Sequence, residues 1–376
     1  MAANQLTMTA HDLDNSGGEL IQTGNHDLTL NFAGQINNQQ GKIASNGSSQ
    51  IKTSALFNQA GQLNIANTGN LMIDLSGTLD NSQNGQIIAS HNLAIVSDEV
   101  FNQRGLLQAG NNLTLNSQGQ LDNRDSGNKS GILAAGSLSL SAAGINNQNG
   151  YIASQGDLTA RISDVLDNQL AGQLLSQTNM LVNAGQLDNR SGQLQAQGDL
   201  NLLLTDTLDN QASLIRAGQT LTINADSIDN RNSQNQDQGL EAKSLSLSAR
   251  QIKNQQGAMR ANQQLTIRSA ERLDNSGGLI SSLQNLTLQD PKAEANNNPA
   301  GKTLNITNTS GTLIAGNQLT VDSAGLSGDG KVLSETDITL KLTQDYIHNS
   351  NAQLHANQNI RLETLGTLSN QGLIQA

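Results

Sequence analysis

Few side chains in this sequence are suited to chemistry, and their spacing argues against most of it. The segment Gly325-Leu326-Ser327-Gly328-Asp329-Gly330-Lys331 has the G-x-x-x-x-G-K spacing of a phosphate-binding loop, where backbone N–H groups and a lysine cradle phosphate oxygens. Val332 follows it, so the magnesium-binding hydroxyl is missing, and no helical pattern comes next to lend its N-terminus. Gly301-Lys302-Thr303 supplies the other half of that motif, but position 296 is Asn rather than Gly. Asp12-x-Asp14-x-Ser16-Gly17 copies the start of an EF-hand calcium loop, yet the twelfth position is Thr23 instead of a bidentate Glu. His11, His26, His91, His348 and His355 lack metal-ligand spacing, and surface positions are expected for them. With no cysteine there is no thiolate metal site, disulfide or cysteine nucleophile. The sequence therefore predicts no catalytic, cofactor-binding or metal-binding residue.

The most numerous candidate groups are carboxylates in Asp-Asn pairs at 14-15, 80-81, 122-123, 167-168, 188-189, 209-210, 229-230 and 274-275. Stacked at the separation of paired strands, about 5 Å, they would repel one another and could attract calcium weakly. Lys253 interrupts the row, and the calcium-binding nonapeptide repeat is absent. A ladder of hydrogen-bonding turn residues is the expected arrangement.

These pairs belong to a larger pattern. A triplet Leu/Ile/Val-x-Asn ends at Asn15, Asn38, Asn58, Asn81, Asn102, Asn123, Asn147, Asn168, Asn189, Asn210, Asn230, Asn254, Asn275, Asn308, Asn349 and Asn370, with Gly328 in one register. Asn and Gly enter the left-handed backbone region most cheaply, so the position is read as a recurring turn. Between Asn102 and Asn123, Leu107, Ala109, Leu113, Leu115 and Leu121 alternate with Gln108, Asn112, Thr114, Asn116 and Gln120, while Gly105, Gly110 and Gly119 separate the groups. This predicts three short strands per repeat, with the apolar set facing a narrow core. The fold expected is all-β, a parallel β-helix of about 17 coils and roughly 21 residues per coil, forming a monomeric rod on the order of 80 Å long.

Composition agrees. The 376 residues include three Phe, two Tyr and no Trp, too little aromatic area for two or three globular cores. Only 35% are hydrophobic, but strict alternation and recurring Leu separate the chain from a disordered tract. A net charge of −11 with scattered basic residues argues against nucleic acid and anionic membrane surfaces, and no apolar run is long enough to embed in a membrane. Residues 1–289 are expected to be regular repeats, 290–301 a polar loop carrying Pro291 and Pro299, and 302–376 less regular repeats continuous with the first part. Asn232 to Gln238 is expected to be a shorter polar insertion. Both ends resemble the middle of a repeat and predict a piece of a longer array with an artificial start at Met1.

Leu187-Asp188-Asn189-Arg190-Ser191-Gly192-Gln193-Leu194-Gln195-Ala196-Gln197-Gly198-Asp199-Leu200-Asn201-Leu202 resembles the filamentous haemagglutinin repeats of large bacterial exoproteins, and its relatives recur along nearly the whole chain. The C-terminal segment, with Leu340, Tyr346, His348-Asn349 and Leu354-His355-Ala356, is similar to the middle of contact-dependent growth inhibition effectors. The resemblance implies a right-handed helix, export through an outer-membrane two-partner transporter, and display on the surface of a Gram-negative bacterium. It also implies a target-cell or host surface receptor. The function expected is a structural stalk that projects a distal receptor-binding or toxin domain, in adhesion or contact-dependent growth inhibition. The alternative is that the 290–301 loop and the coils after it are themselves adhesive. A glycan-cleaving enzyme would need clustered carboxylates or basic residues with aromatic platforms for sugars, and the sequence suggests neither.

Overall fold

The computed structural model describes residues 5–127, 130–235, 237–292 and 301–376, in two compact units, Met1–Gly185 and Gln186–Ala376. Each is a parallel β-helix, and the chain makes about 17 coils of roughly 21 residues. A coil holds strands of four, five and three residues, as in Gln86–Ala89, Leu93–Ser97 and Glu99–Phe101. Each strand pairs in parallel with its counterpart one coil on: Ile87 with Leu107, Ile95 with Leu115, Val100 with Leu121. Period-two alternation sends these residues inward, and all six are 0% exposed. The five residues that the sequence assigned inward between Asn102 and Asn123 are all buried.

The second unit repeats the arrangement, with Leu194 against Ile215, Leu202 against Ile223 and Leu208 against Ile228. Between Gly239 and Asp274 the strands run together around the corners as two long paired strands, Gly239–Lys253 and Ala258–Asp274, with register shifts at the bends. Residues 293–300, most of the expected 290–301 loop, lie outside the described residues, but its base is well defined. Asp290 is fully buried and its carboxylate accepts hydrogen bonds from the backbone N–H of Lys292, Thr303 and Leu304, tying the two sides together. Pairing passes the insertion undisturbed, Leu273 meeting Ile306 and Leu286 meeting Leu319.

The chain does turn just after the recurrent Asn, but the Asn itself is not the left-handed residue. Positive φ falls two residues later, at Gln40, Ala60, Gln83, Arg104, Ser191, Ala212 and Gln256 among others. The Asn is instead a buried side chain. In the first unit Asn15 donates from Nδ2 to Oδ1 of Asn38 at 2.7 Å, and the relay continues through Asn58, Asn81, Asn102, Asn123 and Asn147 to Asn168 at 2.7–2.8 Å per step. In the second it runs from Asn189 through Asn210, Asn230, Asn254 and Asn275 to Asn308 at 2.7–2.9 Å. Most of these amides also reach a strand carbonyl of the next coil, such as Gln86 O from Asn58 at 3.2 Å. Buried amides need partners, and stacking identical side chains at the coil repeat supplies donor and acceptor together. The glycine three residues after the Asn has a steric role: a Cβ on Gly257 would lie 2.1 Å from the carbonyl oxygen of Asn230 in the preceding coil.

After Gly328 the third side of the coil changes. Gly328 occupies the ladder register with φ +107, and Asn349 donates to its backbone carbonyl at 3.0 Å rather than to a side-chain amide. Strand Tyr346–His348 pairs with Leu368–Asn370 in a separate two-stranded sheet. Its phase is inverted: Ile347 is 52% exposed, while Tyr346 and His348 are buried. The triplet Ile347-His348-Asn349 thus does not place its apolar residue inward, contrary to the repeat pattern.

Candidate functional site

The Asp row is a set of closed turns. Oδ1 of Asp80, Asp122, Asp167, Asp188, Asp209, Asp229 and Asp274 accepts the backbone N–H two residues on, at 3.0–3.2 Å. Asn37 and Asn146 make the same bond where the repeat has no Asp. Arginines cover several carboxylates directly: Arg124, Arg190 and Arg231 each meet the Asp two residues earlier at 2.7 Å. Glutamines of the preceding coil cover others, with Gln59 on Asp80 and Gln148 on Asp167, both at 2.6 Å. These carboxylates are engaged by amides and guanidiniums that fix the corner.

Asp12 and Asp14, the calcium-loop candidates, are also spoken for. Asp12 accepts from Gln35 N at 2.7 Å and His11 Nδ1 at 2.8 Å, Asp14 from Ser16 N at 3.0 Å and Asn37 Nδ2 at 3.2 Å. These hydrogen bonds, from Gln35 first for Asp12 and from Ser16 for Asp14, hold both below the usual carboxylate range. No group of three or more His, Asp or Glu side chains that could hold a metal ion occurs among the described residues.

Neither phosphate-loop segment forms a phosphate cradle. Gly325–Ser327 and Lys331–Ser334 are strands, with Gly328 turning between them. Lys302 is turned inward, its ammonium against the Asp322 carboxylate and 3.2 Å from the carbonyl of Lys341, and Thr303 Oγ1 donates to Ala270 O at 2.6 Å. Asn296 lies outside the described residues.

His11, His26 and His91 are exposed and His355 is half-buried. His348 departs from the surface expectation: it is 1% exposed, with Nδ1 3.0 Å from the Tyr346 hydroxyl and Nε2 2.9 Å from the carbonyl of Leu373. A carbonyl only accepts, so Nε2–H donates to Leu373, while Nδ1 shares a hydrogen bond with the tyrosine hydroxyl. Burial pushes the Tyr346 phenol up to about 12. The signal for this pair was the placement of Tyr and His two apart where the repeat has one inward residue.

A charged cluster also escaped the sequence reading. Arg216, Glu241 and Arg260 occupy one outward row in consecutive coils. Glu241 accepts from Arg216 at 2.7 Å and from Arg260 at 3.1 Å. Arg216 also reaches Asp237 at 3.1 Å, and Arg260 bonds the carbonyls of Gln234 and Gln238 at 3.0 Å. The cluster clamps the described part of the Asn232 to Gln238 insertion to the strands, and coil-by-coil alignment would have found it.

Among the described residues no helix is long and apolar enough to cross a membrane. Comparison with known proteins adds the family. The haemagglutinin repeat matches residues 1–35, 25–82, 68–125, 133–212 and 182–290. No curated protein and no solved structure matches. The family is structural and adhesin-like. A match over most of the sequence, to repeats whose shared Asn, Gly and Leu are the residues that stack the coils, makes this chain a member of the haemagglutinin repeat family.

Proposed function

We propose that this segment is a structural stalk of a large secreted surface protein, which carries a distal receptor-binding or toxin domain toward a target cell. One observation supports this above the rest: the polar groups that recur in every repeat are consumed in holding one coil to the next. The corner amides relay from coil to coil and the corner carboxylates close turns. A solenoid of this kind gains length by repetition, because each coil requires only its neighbours. Export through an outer-membrane two-partner transporter, adhesion or contact-dependent growth inhibition as its setting, and a receptor met by the distal part complete the proposal.

Attachment of the labelled, folded chain to bacterial and epithelial cells tests it. A stalk predicts no saturable attachment up to about 1 μM, the range in which a dedicated receptor site binds. Saturable attachment below that concentration, lost on deleting residues 291–301, would replace the stalk by an adhesive segment acting through the loop.

A further inference from the structure

In the second unit a lysine at the base of the 290–301 insertion meets an aspartate one coil later. The Lys302 side chain is only 6% exposed, and its Nζ lies against Oδ1 of Asp322, the last residue of strand Gln318–Asp322. Lysine is rarely enclosed this far, because its ammonium is stripped of water. The contact lacks the geometry of a hydrogen bond. Asp322 Oδ1 is enclosed and accepts none among the described residues, while Nζ donates instead to the backbone carbonyl of Lys341 at 3.2 Å.

Asp290 holds both residues in place. Its fully buried carboxylate accepts the backbone N–H groups of Thr303 and Leu304, directly after Lys302, and its own N–H donates to the carbonyl of Asp322 at 2.8 Å. Strand pairing sets Gln289 opposite Asp322 and fixes the same corner from the other side. The segments that carry the amine and the acid are thus anchored to one residue. Fixing two reactants in contact makes their reaction unimolecular, with an effective concentration of about 10⁵ M or more when they are well oriented.

We propose that Lys302 and Asp322 join spontaneously through an isopeptide bond. Proton transfer from the ammonium to the carboxylate gives a neutral pair, which an enclosed site tolerates better than a charged one. The Nζ lone pair adds to Cγ and forms the C–N bond. One carboxyl C–O bond breaks, and its oxygen leaves as water with two of the three ammonium protons, the third staying on the amide nitrogen. The ion pair has the same atoms and net charge as the amide plus water, so no oxidant or co-reactant is required.

The position of the bond gives it a structural role. Asn308 receives the last side-chain bond of the amide relay and itself donates to a backbone carbonyl, and Gly328 brings no amide. The coil between Lys302 and Asp322 is therefore where the relay stops, and a covalent link there would close a ring of about one coil and restrict the unfolded chain. This holds whatever the stalk carries and whether or not the chain attaches to cells.

Intact mass spectrometry of the purified, folded full chain tests the proposal. Expected is a mass about 18 Da below that of the sequence, one water, with proteolysis releasing Lys302 and Asp322 in a single branched peptide. Lys302→Arg and Asp322→Ala, each checked for folding by circular dichroism, should restore the full mass and abolish the branch. Full mass in the folded wild-type chain after overnight incubation would overturn the proposal. So would a deficit that persists in Lys302→Arg, or one that maps elsewhere, as a succinimide at Asp329-Gly330 would. The wild-type mass and peptide map decide the matter even where a variant fails to fold.

Discussion

Within the second unit, the coils from Gln186 to Ser327 and those after Gly328 use the same repeat length but different glue. In the first group a corner amide donates to the next corner amide, and each three-residue strand buries its central apolar residue, as with Leu208 and Ile228. In the second group the relay ends on backbone carbonyls, the third strand leaves the main sheet, and Tyr346 and His348 fill the space that Leu or Ile fills elsewhere. The difference teaches that the ladder fixes the phase of the strand beside it. A side chain held by its neighbours above and below cannot rotate outward, so the residue two positions earlier must point in. Where Gly328 removes one rung, that constraint lapses, and the strand settles on the Tyr–His hydrogen bond.

The sharpest way to break the comparison is to spoil a regular coil. Leu200→Asp buries an unpaired carboxylate at a fully enclosed position and is expected to cost about 4 kcal/mol or more, read as a lowered urea midpoint. An unchanged midpoint would refute the assigned inward face. Next comes the ladder itself. Asn254→Ala orphans the Asn230 donor and the Asn275 acceptor, an expected loss of about 2–3 kcal/mol, whereas Asn349→Ala removes one bond to a carbonyl and is expected to cost about 1 kcal/mol or less. Equal losses in chemical denaturation would mean that the amide relay contributes nothing special.

Restoring the missing residue should not restore the ladder. Gly328→Asn puts a Cβ 2.5 Å from the backbone nitrogen of Thr309 at a φ that L side chains rarely adopt, so about 1–3 kcal/mol of destabilisation is expected. A higher melting temperature would contradict this.

Alkaline pH sharpens the contrast from the other side. Tyr346 has its phenol raised from 10 to about 12 by burial, so the unfolded chain releases this proton first. Stability is full below pH 10 and falls as pH rises toward 12, by about 2 kcal/mol in total for the coils that contain it. Tyr346→Phe should abolish that loss, measured by unfolding between pH 9 and 11. The smallest expected effect is at Ile347. Ile347→Ser should change stability by less than about 0.5 kcal/mol, against about 2–3 kcal/mol for Leu326→Ser in the preceding third strand, where the side chain is buried.

Much of the fold was legible because inward residues of a narrow solenoid alternate strictly, and Leu107, Leu115 and Leu121 had no other face to occupy. The reason for the recurrent Asn was not legible, because turn propensity and amide stacking select the same residue. The true positive-φ site was hidden by its occupants: Gln40, Arg104 and Ala212 carry no left-handed signature, and the corner geometry imposes it on them. The Lys302–Asp322 contact and the Arg216–Glu241–Arg260 cluster join residues about a coil apart, visible only once the register is known. The flip at Ile347 escaped because its triplet is intact in sequence, and its cause lies one coil earlier at Gly328.

Hydrogen exchange on the full chain tests the role of the ladder most directly, by comparing strands of one coil. The account predicts that amides of Tyr346–His348, off the main sheet, exchange about 10–100-fold faster than those of Asp337–Leu342, which stay paired on both sides. In the laddered coil of Leu214–Ala217, Thr220–Asn224 and Ser227–Asp229, the three strands should be protected alike. Equal protection of Tyr346–His348 and Asp337–Leu342 would contradict the claim that the asparagine ladder holds the third strand in place.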